Sequence, residues 1–170
     1  MWNDEQGVVD RSKVILVSGG SVASPEELEF AERVGRLLAD AGAVVLTGGG
    51  TGVMEAASRG ARTAGGTTLA VLPGSNATES PPNRYVSLAV FTGMRDARNS
   101  ILVRTADAVI AIGGAWGTLS EIALASKVGR PVVLLGTWKV TPPDRSIAVP
   151  QEASTPEEAV ALVLGASGRS

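Results

Sequence analysis

The sequence predicts an α/β protein, a single Rossmann-like, doubly wound domain. Its mostly parallel sheet should have about six or seven strands, with helices on both faces. Three observations predict this. Short runs of β-branched and aliphatic residues recur along the chain, apolar at consecutive positions as in strands buried on both faces. Between them lie segments with apolar residues at helical spacing. Three of the apolar runs end in glycines, where a strand gives way to a helix. The chain has 170 residues, which suits one domain. We expect that domain at 13–165, with a flexible leader over 1–12 and a frayed tail over 166–170.

Val14-Ile15-Leu16-Val17 is the first strand and runs into Ser18-Gly19-Gly20. Ser24-Pro25-Glu26-Glu27 opens the first helix, with Ser at the N-cap, Pro at N1 and Glu at N3. Leu28, Ala31, Val34, Leu37 and Leu38 give that helix an apolar stripe, and Gly42 stops it. Ala43 to Leu46 is the second strand, followed by Gly48-Gly49-Gly50-Thr51-Gly52 and a helix from about Val53 to Ala64. Thr67 to Leu72 is the third strand, closed by Pro73-Gly74. Residues 74–84, rich in Ser, Asn and Pro, read as a loop. Tyr85 to Phe91 reads as a fourth strand and Met94 to Thr105 as a helix. Ala108 to Ile112 is the fifth strand and leads into Gly113-Gly114-Ala115-Trp116-Gly117; a helix then starts at Thr118 and ends at Gly129. Pro131 to Leu135 is the sixth strand, 137–150 is irregular, and Thr155-Pro156-Glu157-Glu158 caps a last helix to about Leu164.

Composition removes whole classes of chemistry. With no Cys and no His, disulfides, thiolate nucleophiles, Cys-ligated zinc, a Ser-His-Asp triad and His-based metal sites are excluded. No metal site is expected, and proton transfer would fall to Asp, Glu, Lys, Tyr, water or the ligand. Lys and Arg total 15 against 17 Asp and Glu, a net charge of −2, so bulk charge gives no reason to expect nucleic acid or an anionic membrane as partner. No apolar run approaches the ~20 residues that span a bilayer. The polar start, MWNDEQGVVDRSK, does not resemble a signal sequence, so a cytoplasmic location is expected.

In open α/β sheets ligands sit at the carboxyl ends of strands, where helix N-termini offer unpaired N–H groups to anions. Three loops qualify, and their candidate binding residues are Gly19 and Gly20; Gly48, Gly49, Gly50, Thr51 and Gly52; and Gly114, Ala115, Trp116, Gly117 and Thr118. None is a GxGxxG fingerprint and none carries the Gly-Lys-Ser/Thr of a P-loop. Ordinary NAD binding and Walker-type hydrolysis are therefore disfavoured; each loop alone reads first as a tight turn, and the coincidence of the loops after the second and fifth strands favours an anion site. Glu121 is either a cleft carboxylate or the last member of a capping box, Thr118-x-x-Glu121. Arg98 is either a phosphate ligand or a solvated surface cation, and Arg95 and Arg104 share that ambiguity. Glu55 suits the start of its helix, where it complements the dipole. Trp116 is either a lid over a flat ring or a packing anchor at an interface.

The stretches GGGTGVMEAASRGA (48–61), AGGTTLAVLPG (64–74) and ARNSILVRTADAVIAIGGAWGTLSEIALA (97–125) resemble the Lonely Guy-like superfamily. The resemblance covers about residues 13–136 and looks closest to the molybdenum cofactor carrier branch. It implies a binding or carrier protein for a phosphorylated nucleotide or pterin. Such a protein has no intrinsic cofactor, and the molybdenum cofactor or a nucleotide would be the carried ligand. It also implies a homodimer or homotetramer. The alternative it implies is a cytokinin riboside 5′-monophosphate phosphoribohydrolase, which cleaves an N-glycosidic bond and whose signature is PGGxGTxxE with an upstream Arg-Lys pair. On that alternative Arg98 and Glu121 match the catalytic Arg and Glu. Asn99 stands where that branch has Lys, Gly113 where it has Pro, and Ala115 where it has its second Gly. These departures favour the carrier, in which Arg98, Asn99 and Glu121 would line the ligand site.

Overall fold

The computed structural model describes residues 11–166. Residues 1–10 of the expected leader and 167–170 of the expected tail lie outside it.

Seven strands form one sheet: β1 (Val14–Gly19), β2 (Val44–Thr47), β3 (Thr68–Leu72), β4 (Leu88–Phe91), β5 (Ala108–Ile112), β6 (Val132–Leu135) and β7 (Gln151–Ala153). Their order is β4-β3-β2-β1-β5-β6-β7, and every neighbouring pair is parallel. The helices are α1 (Pro25–Asp40), α2 (Val53–Thr63), α3 (Asn99–Thr105), α4 (Trp116–Lys127) and α5 (Pro156–Gly165). The expected Rossmann-like architecture is thus the one observed. Among the described residues no helix is long and apolar enough to cross a membrane.

The period of two along each central strand sorts side chains into two layers. Ile15, Val17, Val45, Ile110 and Ile112 face α1, α2 and α5. Leu16, Leu46, Val71, Val109 and Ala111 face α3 and α4. Because interior strands are covered on both faces, their runs are uninterruptedly apolar, which is why β1, β2, β5 and β6 are where the sequence places them.

Helix α1 begins with the full capping box: the Ser24 hydroxyl accepts from Glu27 N at 3.2 Å, and Ser24 N donates to Glu27 Oε2 at 2.8 Å. Gly35 of α1 lies against the Ala57 carbonyl, and Gly60 of α2 against the Glu32 carbonyl. Neither site has room for a Cβ, so the two backbones cross in direct contact. That crossing sets where α2, and the glycine loop before it, sits on the sheet.

Several elements differ from expectation. β4 covers only Leu88–Phe91; the chain at 85–87 is fastened to Thr68, whose hydroxyl donates to Tyr85 O at 2.7 Å and accepts from Ser87 N at 2.8 Å. β4 is also an edge strand, with Leu88 57% and Val90 46% exposed, so it is not the doubly buried strand its composition suggests. β7 was not expected, since Gln151-Glu152-Ala153 carries no apolar pattern. The helix expected over Met94 to Thr105 is a 3₁₀ turn, Arg95–Arg98, followed by α3, with Arg95 in the left-handed region at φ 49°. Finally, α4 starts at Trp116 rather than Thr118, and its N-cap Ala115 makes no side-chain cap bond.

Candidate functional site

β1 and β5 are neighbours at the centre of the sheet, and the chain leaves them to opposite faces, into the α1 and α4 layers. That is a topological switch point, where an open α/β sheet leaves a crevice beyond its strand ends.

The three glycine loops meet there. Val53 N donates to Gly20 O at 3.0 Å, and the Thr51 hydroxyl donates to Ser21 O at 3.1 Å, joining the first two loops. A Cβ on Gly20 would stand 3.4 Å from Gly114 Cα, which brings in the third. Gly52 takes φ 64° directly over the Gly20 and Ser21 carbonyls, a conformation and a space that admit no side chain. Gly114, at φ 90°, is packed on the Thr118 side chain. Gly19 lies against Val53 and the Ile112 carbonyl, and Gly49 against Ala70 and Leu72. Gly117, in the first turn of α4, has open space where a Cβ would be.

Arg98 reaches this junction from the end of the 3₁₀ turn. A Cβ on Gly48 would lie 2.9 Å from its Nη2. Its Nη1 donates to Asn99 Oδ1 at 2.5 Å and lies 3.4 Å from Glu121 Oε1. Its Nε is buried with no hydrogen-bond partner. Burial pulls the guanidinium below its ordinary pKa, against the attraction of Glu121 and Asp96.

Glu121 is 8% exposed and turned inward. Its Oε2 accepts the Ser18 hydroxyl at the tip of β1. Burial pushes its carboxyl above the usual carboxylate range, opposed by the Ser18 bond and by Arg98. The capping reading of Glu121 does not hold: the residue sits in the second turn of α4, and its oxygens go to Ser18 and Arg98. Asn99 is engaged as well. Its Nδ2 donates to the Ser120 hydroxyl at 3.0 Å, which donates to Gly117 O at 2.7 Å, so Asn99 links Arg98 to the first turn of α4.

The other candidates lie further out. Trp116 is 75% exposed. Arg95 and Arg104 are exposed, and the Arg104 carbonyl accepts from Arg130 Nη2 at 3.1 Å. Glu55 stands in the first turn of α2, beside a cavity of about 390 Å³ that Gly52 and Arg59 also line.

Sequence reasoning passed over three contributors. Ser18 was legible, as a polar residue closing an apolar strand. Asn83, from the loop before β4, clasps the second glycine loop: its Nδ2 donates to Gly50 O at 2.9 Å and its backbone N to Gly49 O at 2.8 Å. The segment 136–138 is fastened to the third loop, with Gly113 N donating to Gly136 O at 3.2 Å and Trp138 Nε1 to Ala115 O at 3.3 Å. Neither clasp has a local sequence signal.

The profile of the SLOG cluster4 family matches residues 12–163. The chain belongs to the SLOG cluster4 family. This SLOG cluster4 chain is 40% identical over 139 residues to an uncharacterized protein of Archaeoglobus fulgidus, covering 82% of this chain and 90% of that one. Two solved structures share its fold closely. The molybdenum cofactor binding protein from the phototrophic bacterium Rippkaea orientalis superposes with a TM-score of 0.81 at 39% identity, over 91% of this chain and 97% of that one. The molybdenum cofactor carrier protein from Chlamydomonas reinhardtii does so with a TM-score of 0.76 at 33% identity, over 91% and 97%. A cytokinin riboside 5′-monophosphate phosphoribohydrolase of Mycobacterium tuberculosis is 29% identical over 132 residues, 74% of this chain and 71% of that one. The family resemblance read from the glycine motifs therefore stands for the SLOG cluster4 protein, with both branches among its relatives.

Proposed function

We propose that this protein binds and carries a small phosphorylated ligand, a nucleotide or a pterin such as the molybdenum cofactor, at the junction of its three glycine loops. The observation that carries the reading is Arg98. A half-buried guanidinium beside Gly48, its Nη1 held by Asn99 and Glu121 and its Nε without a partner, has hydrogen-bonding capacity to spare for an anion. The surrounding backbone supplies the N–H groups of the α2 and α4 N-termini. Carriage rather than turnover is favoured because both Glu121 oxygens face protein groups, Ser18 and Arg98, and burial opposes their ionisation. The likeness to the two molybdenum cofactor proteins supports the same choice.

The test is calorimetric titration of the full chain with ribose 5-phosphate and with AMP. Binding to the native protein that is lost in Arg98→Met supports the reading. Equal affinity in the two proteins removes Arg98 from the site, and no binding of either ligand removes the site.

One feature keeps phosphoribohydrolase activity as a second reading: Arg98 and Glu121, the residues the hydrolase branch would use, face each other across the junction. There, Arg98 would hold the 5′-phosphate and Glu121 would stabilise the positive charge that develops on the ribose as the N-glycosidic bond breaks. Release of free base and ribose 5-phosphate from AMP or a cytokinin nucleotide, abolished by Glu121→Ala, would establish it. Absence of release leaves the carrier.

A further inference from the structure

The chain is poor in aromatic residues, at 4%, yet two of its three tryptophans touch each other at the rim of the third glycine loop. The rings of Trp116 and Trp138 are 5.2 Å apart between centroids and inclined by 39°. Trp116 is the first residue of α4 and is 75% exposed. Trp138 is brought beside it by a built connection. The 136–138 segment leaves the end of β6 and is fastened to the 113–115 loop by Gly113 N to Gly136 O, the Thr137 hydroxyl to Gly113 O, and Trp138 Nε1 to Ala115 O. These bonds hold Trp138 with its N–H already satisfied and leave a large indole face of Trp116 in solvent. An exposed indole, braced by a second, thus stands in the first turn of α4, directly after the third glycine loop.

We infer that Trp116, braced by Trp138, is the stacking platform for a planar heteroaromatic ring on the ligand, one joined to the phosphate that the glycine loops and Arg98 hold. The proposal rests on the anion-site reading above and adds the residue pair that would hold the ligand's ring. An indole offers a flat π-face that tolerates any fused heterocycle, so the platform selects for flatness rather than for one hydrogen-bond pattern. Ligands with a phosphate and no ring, such as ribose 5-phosphate, would use only the inner half of the site.

The experiment titrates the full chain with AMP, adenosine and ribose 5-phosphate, following tryptophan fluorescence and calorimetry in the native protein, Trp116→Ala, Trp116→Phe and Arg98→Met. AMP should bind at least roughly tenfold more tightly than ribose 5-phosphate in the native protein, the scale of one aromatic–base stack. Trp116→Ala should remove that advantage and leave ribose 5-phosphate affinity unchanged. Trp116→Phe should restore most of the advantage, and adenosine should quench native fluorescence without needing Arg98. Equal AMP and ribose 5-phosphate affinities, or an AMP affinity indifferent to Trp116→Ala, overturn the platform while leaving the anion site intact. Quenching by adenosine with no binding of ribose 5-phosphate fails the anion site and keeps the platform. Sedimentation of the same variants covers the remaining use of an exposed indole: if Trp116→Ala converts an oligomer to monomers, the pair is a subunit contact and the platform is overturned. Trp116 is mostly solvent-exposed, so its replacement leaves the fold in place for every one of these readings.

Discussion

The hydroxyl of Ser18 donates to Oε2 of Glu121, tying the tip of β1 to the second turn of α4 across 103 residues of sequence. The bond closes the inner end of the switch-point crevice and holds a carboxyl group inside the protein. Burial raises the native pKa of Glu121 above its value in the unfolded chain. Below about pH 4.3 the group is protonated in both states. As pH rises past that value the unfolded chain ionises first, the native state holds the extra proton, and stability falls until the native group ionises too. Glu121→Gln removes this dependence. The melting temperature of the variant minus that of the native protein should therefore climb as pH rises through and above that point, measured by calorimetry between about pH 4 and pH 8. An arginine side chain is charged throughout this range and drops out of the slope. A flat difference would show that Glu121 ionises as it does in water.

The crossing of α1 and α2 has no tolerance at its two glycines. A Cβ at Gly35 would strike the Ala57 carbonyl, and one at Gly60 the Glu32 carbonyl, both backbone atoms. Gly35→Ala and Gly60→Ala should each cost about 1–3 kcal/mol in urea unfolding, despite the better helix propensity of Ala. Gly165→Ala, where no atom lies within 4 Å, is the control and should be close to neutral. A pair of neutral results at 35 and 60 would mean that the helices can separate freely.

Gly117 separates folding from binding. It lies in the first turn of α4 with empty space around its missing Cβ. Gly117→Ala should raise stability by about 0.5–1 kcal/mol, the usual gain of Ala over Gly in a helix. If the empty space belongs to a ligand, the same variant should bind AMP more weakly while melting higher. Higher melting with unchanged AMP binding would place the ligand elsewhere.

Asn83 holds the second glycine loop by its carbonyls at Gly49 and Gly50. Asn83→Ala should cost about 1–2 kcal/mol, as hydrogen bonds to partly buried carbonyls are lost. Amide exchange at 48–52 should accelerate more than exchange in β1 or β5, because the loss is local. Uniform acceleration across the sheet would mean that the clasp supports the whole fold instead.

The interior of the fold was readable because interior strands of a parallel sheet have no polar face. Val14 to Val17 and Ala108 to Ile112 must be apolar at every position. Edge strands are freed from that rule, so Leu88–Phe91 reads as more buried than it is and Gln151–Ala153 does not read as a strand at all. The glycine loops were readable because clustered glycines at strand ends are unusual enough to mark a backbone that must turn or be approached. The helix-start motif misled at Thr118 and Glu121, because the same spacing occurs inside α4 and tertiary partners, Ser18 and Arg98, claim the carboxylate. The roles of Asn83 and Trp138 depend on loops that meet only once the sheet has formed, and no local pattern encodes such a meeting.

The strand order has a consequence for how the chain comes to be. β1 lies between β2 and β5, so its second neighbour is not complete until Ile112 has been made. A nascent chain leaving the ribosome would present one open edge of its central strand while β2, β3 and β4 are already available on the other side. The contact of Ser18 with Glu121 spans a similar stretch, 103 residues. Such long-range pairing slows folding and leaves an unpaired edge for other chains to meet. A chain that ends before β5 therefore leaves β1 with one edge unpaired.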